Sequence, residues 1–516
     1  MRLWIVSILS GAALWGQGAG GVQFRDWATP AATAKPKIAC GELRSLTNFE
    51  LSVLSATVIP AAGDTPEHCR VSVLVPPEIN IEVNLPSAWN ERLYMFGNGG
   101  FAGESFDAAN RANTRARGLH YGFVTAATDT GHSAAAEPGA SFAVNRQKLV
   151  DFAFRSLHVT AESAKMLLRA YYGEAPVKSY YDGCSQGGRQ GLILAQRFPA
   201  DFDGILAGAP GLDNTSVMLA RAYWAQALAA APIPAAKLKM LSDRIYEQCD
   251  AKDGLKDGLI DDPRRCDFRP ARDLPQCAAG SDNADCFTAA QVTAIERVHS
   301  DVMSQGKRVF PAWPVGSETV GPNGQSAWIG QQVNGPNGPG VWTRYGETFL
   351  RFMAFPEKDA DFPLSRFDID KDAARTAALG TILNATDTDL SAFQRRGGKL
   401  IMYFGWADPQ LNPMMGVEYY EKVAERMGGA TGDFFRLFMV PGMFHCGGGI
   451  GTSTFDAATP LVKWVESASA PDTIAASRVV DKKVVRTRPL CAYPQVARYK
   501  GTGSIDEAAN FACAKP

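Results

Sequence analysis

The chain has 516 residues, of which 46% are hydrophobic, with 52 basic against 53 acidic side chains and a net charge of -1. That is ample apolar material for a large core and more chain than one ordinary domain holds, so two domains, or one with a large insertion, are expected. The balanced charge and the lack of long charge runs give no footing for a nucleic-acid or acidic-lipid partner.

Met1-Arg2, the apolar run Leu3–Trp15 and the small residues Gly16–Gly21 have the layout of a signal peptide, placed at 1–20. The run is too short to span a bilayer as a helix, and no other stretch is long and apolar enough. A secreted or periplasmic protein follows. The ten cysteines fit such a compartment: their even count argues for five disulfides, and no Cys-x-x-Cys pair points to a zinc ribbon or a thioredoxin-like site.

Residues 21–212 read as the first part of a core. Leu51–Pro60 and Arg70–Val75 are short β-like runs, and Ile79–Leu85 alternates as a half-buried strand does. Arg92–Phe96 is a buried-strand candidate that enters Gly97-Asn98-Gly99-Gly100-Phe101-Ala102-Gly103. A glycine-rich loop there suits an oxyanion donor. The alternative, a phosphate cradle, needs a following Lys-Ser/Thr or a Gly-x-Gly-x-x-Gly helix start, and neither is convincing. Tyr121–Ala127 is another buried strand, with Thr128–His132 as its polar loop, and Lys148–Tyr171 is a long helix stopped by Gly173.

Val177–Tyr181 then leads into Gly183-Cys184-Ser185-Gln186-Gly187, which fits Gly-x-Ser-x-Gly, and Arg189–Arg197 reads as the helix after it. In this strand–turn–helix setting the motif is a nucleophile elbow. The serine sits at a strained tip, the flanking glycines let strand and helix cross, and the helix N-terminus offers N–H groups to an oxyanion. Phe202–Pro210 holds one more strand, so strands and helices alternate as in a parallel α/β sheet.

The rhythm breaks over 213–390, a stretch rich in Gly, Pro, Asn and aromatics that reads as an inserted lid domain. Within it, Asp250, Asp253 and Asp257 with intervening glycines suit a hard cation, most simply Ca²⁺, with the carbonyls of Leu255 and Leu259 completing the shell. The other reading is an acidic surface turn. Cys249 and Cys266 flank this loop and can close it.

Residues 391–516 resume the core. Strand Gly398–Phe404 is followed by Asp408, helix Met414–Met427 by strand Phe434–Val440, and the loop after that strand carries His445. Phe455–Ala468 reads as a closing helix, and the tail carries Cys491 and Cys513. Ser185, Asp408 and His445 stand in the chain order of α/β-hydrolase triads, each in a loop after a strand. His132 is the runner-up base, but it precedes the serine. Cys184 adjoins Ser185 and Cys446 adjoins His445, so a bridge between them would hold nucleophile and base together across the insertion.

At these residues the chain resembles the tannase and feruloyl esterase family. The carrying motifs are Gly99–Gly103, Ala127–His132, Asp182–Arg189, Phe198–Gly204, Asp250–Asp262 and Gly442–Cys446; Cys-Ser paired with His-Cys is the most specific of them. The resemblance implies an α/β-hydrolase fold with a large inserted lid domain, a Ser185–Asp408–His445 triad, lid calcium and hydrolysis of aromatic carboxylic esters of feruloyl, galloyl or terephthalate half-ester type. It implies oxyanion donors at the N–H of Gln186 and of Gly99 or Gly100. It also implies the neighbour pairings Cys40–Cys69, Cys249–Cys266, Cys277–Cys286 and Cys491–Cys513. In the lid, Trp342–Phe355 resembles the segment reaching over the acyl group, with Arg351 placed to pair with a substrate carboxylate and Phe355 beside it. Gln186 and Leu411 depart from the family's terephthalate half-ester hydrolase, which has an acidic and an aromatic residue there. The expectation is a secreted serine esterase whose partner is a small aromatic ester; its rival is a calcium-stabilised, non-catalytic ligand-binding protein on the same scaffold.

Overall fold

The computed structural model describes residues 33–318, 328, 338–355 and 362–516. The leader expected at 1–20 lies outside them, as do two Gly/Pro/Asn stretches of the insertion that read as turns, 321–324 wholly and 334–340 up to residue 337.

Nine strands form the central sheet: β1 Ser52–Ile59, β2 His68–Val75, β3 Ile79–Pro86, β4 Arg92–Phe96, β5 Val124–Thr128, β6 Lys178–Cys184, β7 Gly204–Gly208, β8 Lys399–Gly405 and β9 Phe435–Val440. Their spatial order is 1-2-3-5-4-6-7-8-9. From β5 to β9 all neighbours run parallel, and β1–β3 extend the β5 side as antiparallel strands.

The parallel strands are buried on both faces, as crossover helices require. Along β4, Leu93 and Met95 join one hydrophobic cluster while Tyr94 and Phe96 join the other. In β8, Leu400, Met402 and Phe404 alternate with Ile401 and Tyr403 in the same way. The period-two pleat therefore builds two cores, one on each side of the sheet. Helices Ser156–Tyr172 and Gln186–Arg197 cover one face, and Ala458–Ser467 covers the other.

β3 corrects the half-buried reading of Ile79–Leu85, because along the strand only Asn80 is not fully buried. The polar positions are buried as partners: Arg115, on helix Ala109–His120, meets Glu82 at 2.8 Å, and Asn84 donates to Glu82 at 3.1 Å.

The described residues of 213–390 are mainly helical, with Asn214–Ala230, Ala235–Cys249, Ala289–Val298 and Val341–Phe349 and a small hairpin, Val302–Ser304 with Lys307–Phe310. The tail, of which the sequence showed only the cysteines, forms a hairpin of Thr473–Val480 against Lys483–Cys491. Its many exposed positions explain why hydrophobic pattern did not reveal it. The disulfides are Cys40–Cys69, Cys184–Cys446, Cys249–Cys266, Cys277–Cys286 and Cys491–Cys513.

Candidate active site

Ser185 stands between the end of β6 and the start of helix Gln186–Arg197, at φ 65° and ψ -120°. A side-chain-bearing residue in that region is strained and persists only where its surroundings hold it. Two neighbours hold it here: Ser185 N–H donates to the Gly208 carbonyl at 2.9 Å, and the Ser185 carbonyl accepts from Arg189 N–H at 3.1 Å. Two glycines here are sterically required, Gly183 of the motif and Gly188, whereas at Gly187, the motif's other glycine, a Cβ would lie a tight but tolerable 3.2 Å from the Asn98 carbonyl oxygen. A Cβ at Gly183 would lie 2.6 Å from the Gly187 carbonyl carbon, and one at Gly188 would lie 2.2 Å from the Gly208 oxygen.

The glycine-rich loop after β4 packs on the same helix. A Cβ at Gly97 would lie 2.7 Å from the Gly187 Cα. Gln190, on that helix, accepts from Asn98 N–H at 3.1 Å, and Asn98 Nδ2 donates to the Thr128 carbonyl at 2.9 Å. Gly99 and Gly100 are therefore tied to the elbow, but they differ. The Gly99 N–H points at Glu104 Oε2, 3.5 Å away, whereas Gly100 has φ 52° and lies under Tyr345, whose hydroxyl would be 2.7 Å from a Cβ there. Gln186 is buried, and its Oε1 accepts from Arg189 Nε at 3.0 Å.

Asp408 lies in the loop after β8 and is fully buried. Its Oδ1 accepts from the N–H groups of Gln410 (2.8 Å) and Leu411 (3.0 Å), which leaves Oδ2 to accept from His445 Nδ1 at 2.7 Å. His445 follows β9, and its Nε2 is 2.8 Å from Ser185 Oγ. The three residues, up to 260 positions apart in the chain, thus form one continuous hydrogen-bonded row. The Cys184–Cys446 bridge, with Cα atoms 5.9 Å apart, links the residue before the serine to the residue after the histidine. His132 is not part of this row. It is buried, stacked on Phe142 with ring centroids 3.8 Å apart, and burial pulls its pKa down.

The residues expected beside the substrate, Leu411 in the core and Arg351 and Phe355 in the lid, fall into different settings. Leu411 reaches the row through its backbone, and its side chain is buried. Phe355 is 5% exposed, packed between the Arg375 guanidinium at 3.9 Å and the Phe362 ring at 5.0 Å. The Arg351 guanidinium lies over the Phe352 ring at 5.2 Å. The lid residue in contact with the glycine-rich loop is Tyr345, stacked on Phe101 at 4.9 Å with the Arg221 guanidinium 4.8 Å from its ring. Arg221 and Trp313, whose indole N–H donates to the Asp408 carbonyl at 3.2 Å, were invisible in the sequence, and Tyr345 lay unsingled within the expected Trp342–Phe355 segment. Each is one aromatic or basic residue among many, and only the folded chain pairs it with the site.

The acidic loop of the insertion borders the histidine loop: Leu259 Cδ2 would lie 2.7 Å from a Cβ at Gly442. Asp250 accepts from the N–H groups of Asp257 and Gly258 at 3.1 Å, and Asp253 and Asp257 accept from those of Leu255 (2.9 Å) and Leu259 (3.2 Å). Asp257 is bound by Arg488 at 2.6 Å and Arg486 at 3.4 Å. Asp253 and Asp261 instead lean on one another; burial, with the charge of Asp257 facing both and that of Asp253 facing Asp261, pushes both carboxyls above the usual range. Crowded carboxyl groups of raised pKa fit a divalent cation such as Ca²⁺, which would relieve that repulsion.

Known proteins resemble this chain in sequence and in fold. The family model for tannase and feruloyl esterase matches residues 65–514. The chain is 37% identical to the mono(2-hydroxyethyl) terephthalate hydrolase of Piscinibacter sakaiensis, covering 90% of this chain and 87% of that one. It is 30% identical to a probable feruloyl esterase of Arthroderma benhamiae, covering 99% and 98%. The crystal structure of feruloyl esterase B from Aspergillus oryzae superposes with a TM-score of 0.80 at 28% identity, over 92% of this chain and 99% of that one. The chain belongs to the tannase and feruloyl esterase family of carboxylic ester hydrolases, with the α/β-hydrolase fold and lid of that family.

Proposed function

We propose that the protein is a secreted or periplasmic serine esterase acting on esters of aromatic carboxylic acids through Ser185, His445 and Asp408. The observation that carries this reading is the row Asp408 Oδ2–His445 Nδ1 at 2.7 Å and His445 Nε2–Ser185 Oγ at 2.8 Å. Both distances lie within the reach that proton transfer requires. Ser185 Oγ attacks the ester carbonyl as His445 Nε2 takes its proton. The tetrahedral oxyanion is received by the N–H groups of Gln186 and of the glycine-rich loop, where Gly100 is better placed than Gly99 because Glu104 faces the Gly99 amide. His445 then protonates the leaving alcohol. A water, deprotonated by His445, releases the acid and restores Ser185. Asp408 keeps the Nδ1–H tautomer of His445 in place and stabilises its charged form.

The aromatic acyl class is supported by the named activities of the relatives and by Tyr345 and Phe101, which bring stacked aromatic rings to the glycine-rich loop. Five disulfides suit an oxidising compartment. Among the described residues no helix is long and apolar enough to cross a membrane. Asp250, Asp253 and Asp257, with the carbonyls of Leu255 and Leu259, would hold Ca²⁺, which would supply charge neutralisation to the loop beside Gly442. The test is hydrolysis of methyl gallate, methyl ferulate, a terephthalate half-ester and 4-nitrophenyl acetate, with Ser185→Ala as control. Turnover lost in the variant supports the esterase, and the ranking names the acyl group. No turnover on any of the four by folded, calcium-loaded protein returns the weight to the non-catalytic binding protein.

A further inference from the structure

The loop that carries Asp408 is held from outside the sheet. Three of its residues are tied to the inserted stretch at alternate positions. The Asp408 carbonyl accepts from Trp313 Nε1 at 3.2 Å. The Gln410 carbonyl accepts from Arg221 Nη2. Asn412, itself fully buried, donates through Nδ2 to the carbonyls of Pro311 and Ala312, both at 3.0 Å, while its Oδ1 accepts from Met414 N–H at 3.0 Å.

These ties bear on the carboxylate, because Asp408 Oδ1 is oriented by the N–H groups of Gln410 and Leu411. If the 408–412 turn relaxes, those donors move, and Oδ2 swings away from His445 Nδ1. The anchor is itself rigid. Trp313 is 1% exposed and its ring packs on Trp224 at 5.2 Å and Trp342 at 5.1 Å. Its backbone N–H donates to the Val298 carbonyl at 3.0 Å and its carbonyl accepts from His299 Nδ1 at 2.8 Å. A side chain locked on every edge can hold a hydrogen bond at fixed geometry, which is what a supporting group must do.

We propose that Trp313 and Asn412 are positioning residues through which the inserted domain sets the orientation of Asp408 toward His445. The inference rests on the triad reading above. It gives the insertion a second task besides covering the substrate: a hydrolase sheet lacking this segment would present the acid in a looser turn.

Trp313→Phe removes the indole N–H and keeps most of the ring packing. The expected result is a fall in kcat of about tenfold with KM within about twofold, since misplacing a catalytic group by a fraction of an ångström costs rate rather than binding. A weakened Asp408–His445 bond also stabilises the imidazolium less, so the acid limb of kcat/KM moves to lower pH. The charged group nearby is Arg221, whose guanidinium feels Asp408 and is left unchanged. Asn412→Ser, which withdraws the donors to Pro311 and Ala312, is expected to act in the same sense and serves if Trp313→Phe does not fold. Trp224→Phe loosens the same aromatic cluster but leaves the Trp313 indole N–H in place, and is expected to lower kcat and move the acid limb much less than Trp313→Phe does.

An unchanged kcat and acid limb in both loop variants, whatever happens to their melting temperature, overturns the inference. So does a Trp224→Phe effect equal to that of Trp313→Phe, which would assign the loss to cluster packing. Ser185→Ala in the same assay separates the two levels: retained turnover there sinks the triad reading, whereas turnover abolished there but intact in the loop variants sinks only the positioning role.

Discussion

Removing the Cys184–Cys446 bridge is the perturbation whose size the structure sets most clearly. The bridge closes a sequence separation of 262, whereas Cys277–Cys286 closes one of 9. Chain-entropy arithmetic gives about 5–6 kcal/mol for the long loop and about 2–3 kcal/mol for the short one at room temperature. The nested bridges Cys249–Cys266 and Cys277–Cys286 shorten the long loop only slightly. Replacing both cysteines of each bridge by serine should therefore cost about 3 kcal/mol more for Cys184–Cys446, read as denaturant midpoints at equal slope. The rate should separate the two further. Cys184 and Cys446 are the immediate neighbours of Ser185 and His445, so loss of their bridge loosens the 2.8 Å Oγ–Nε2 contact and lowers kcat, while loss of Cys277–Cys286 leaves kcat in place. Equal destabilisation by the two double variants, together with an unchanged kcat in both, would refute the clamp.

Other outcomes follow from the same geometry. Glu318 is fully buried with its pKa raised from 4.5 to about 7, and the adjacent His299, 3.4 Å away, is lowered from 6.5 to about 4, both by burial. Between about pH 4.5 and 6.5 the folded pair carries its one proton on Glu318 and the unfolded pair carries it on His299, so the pair contributes no slope; above that window the unfolded chain holds fewer protons, and stability falls as pH rises through about 7. Glu318→Gln should then stabilise by about 2–3 kcal/mol more at pH 8 than at pH 5, measured by denaturation at both pH values; a gain independent of pH contradicts the assignment. Gly188→Ala places a Cβ against the Gly208 carbonyl, whose oxygen also accepts the Ser185 N–H, so it should cost about 1–3 kcal/mol or more by overpacking and depress kcat together with stability. Chelation of calcium should lower the melting temperature of the wild type by several degrees and that of Asp253→Asn by much less; an unchanged wild-type melting temperature removes calcium from the account.

The elbow was legible because its chemistry is local. Only glycine fits at Gly183 and Gly188, and the strand before and helix after them follow short, strongly patterned runs. Asp408 and His445 were legible for a related reason: each lies in the loop after a short, largely apolar strand, and the chain order leaves few other candidates. The pairing of Cys184 with Cys446 followed from those two assignments. What stayed hidden depends on partners distant in sequence. Glu82 and Asn84 look like the solvent face of β3 until Arg115 is packed on them. Arg486 and Arg488 lie on a hairpin with no marked apolar face, and their role beside Asp257 exists only after the tail folds back. Trp313 is one of ten tryptophans, and nothing in its neighbours distinguishes it from core filling. Phe355, expected over the substrate, is packed against Arg375 and Phe362 instead, while Tyr345 holds the place above Gly100.

The measurement that tests the central claim most directly is mass spectrometry of the protein after reaction with a fluorophosphonate, alongside hydrolysis of methyl ferulate and 4-nitrophenyl acetate. The account predicts one phosphonyl adduct on the peptide containing Ser185, turnover abolished in step with labelling, and neither adduct nor turnover in Ser185→Ala. Turnover that survives labelling or survives Ser185→Ala would contradict it.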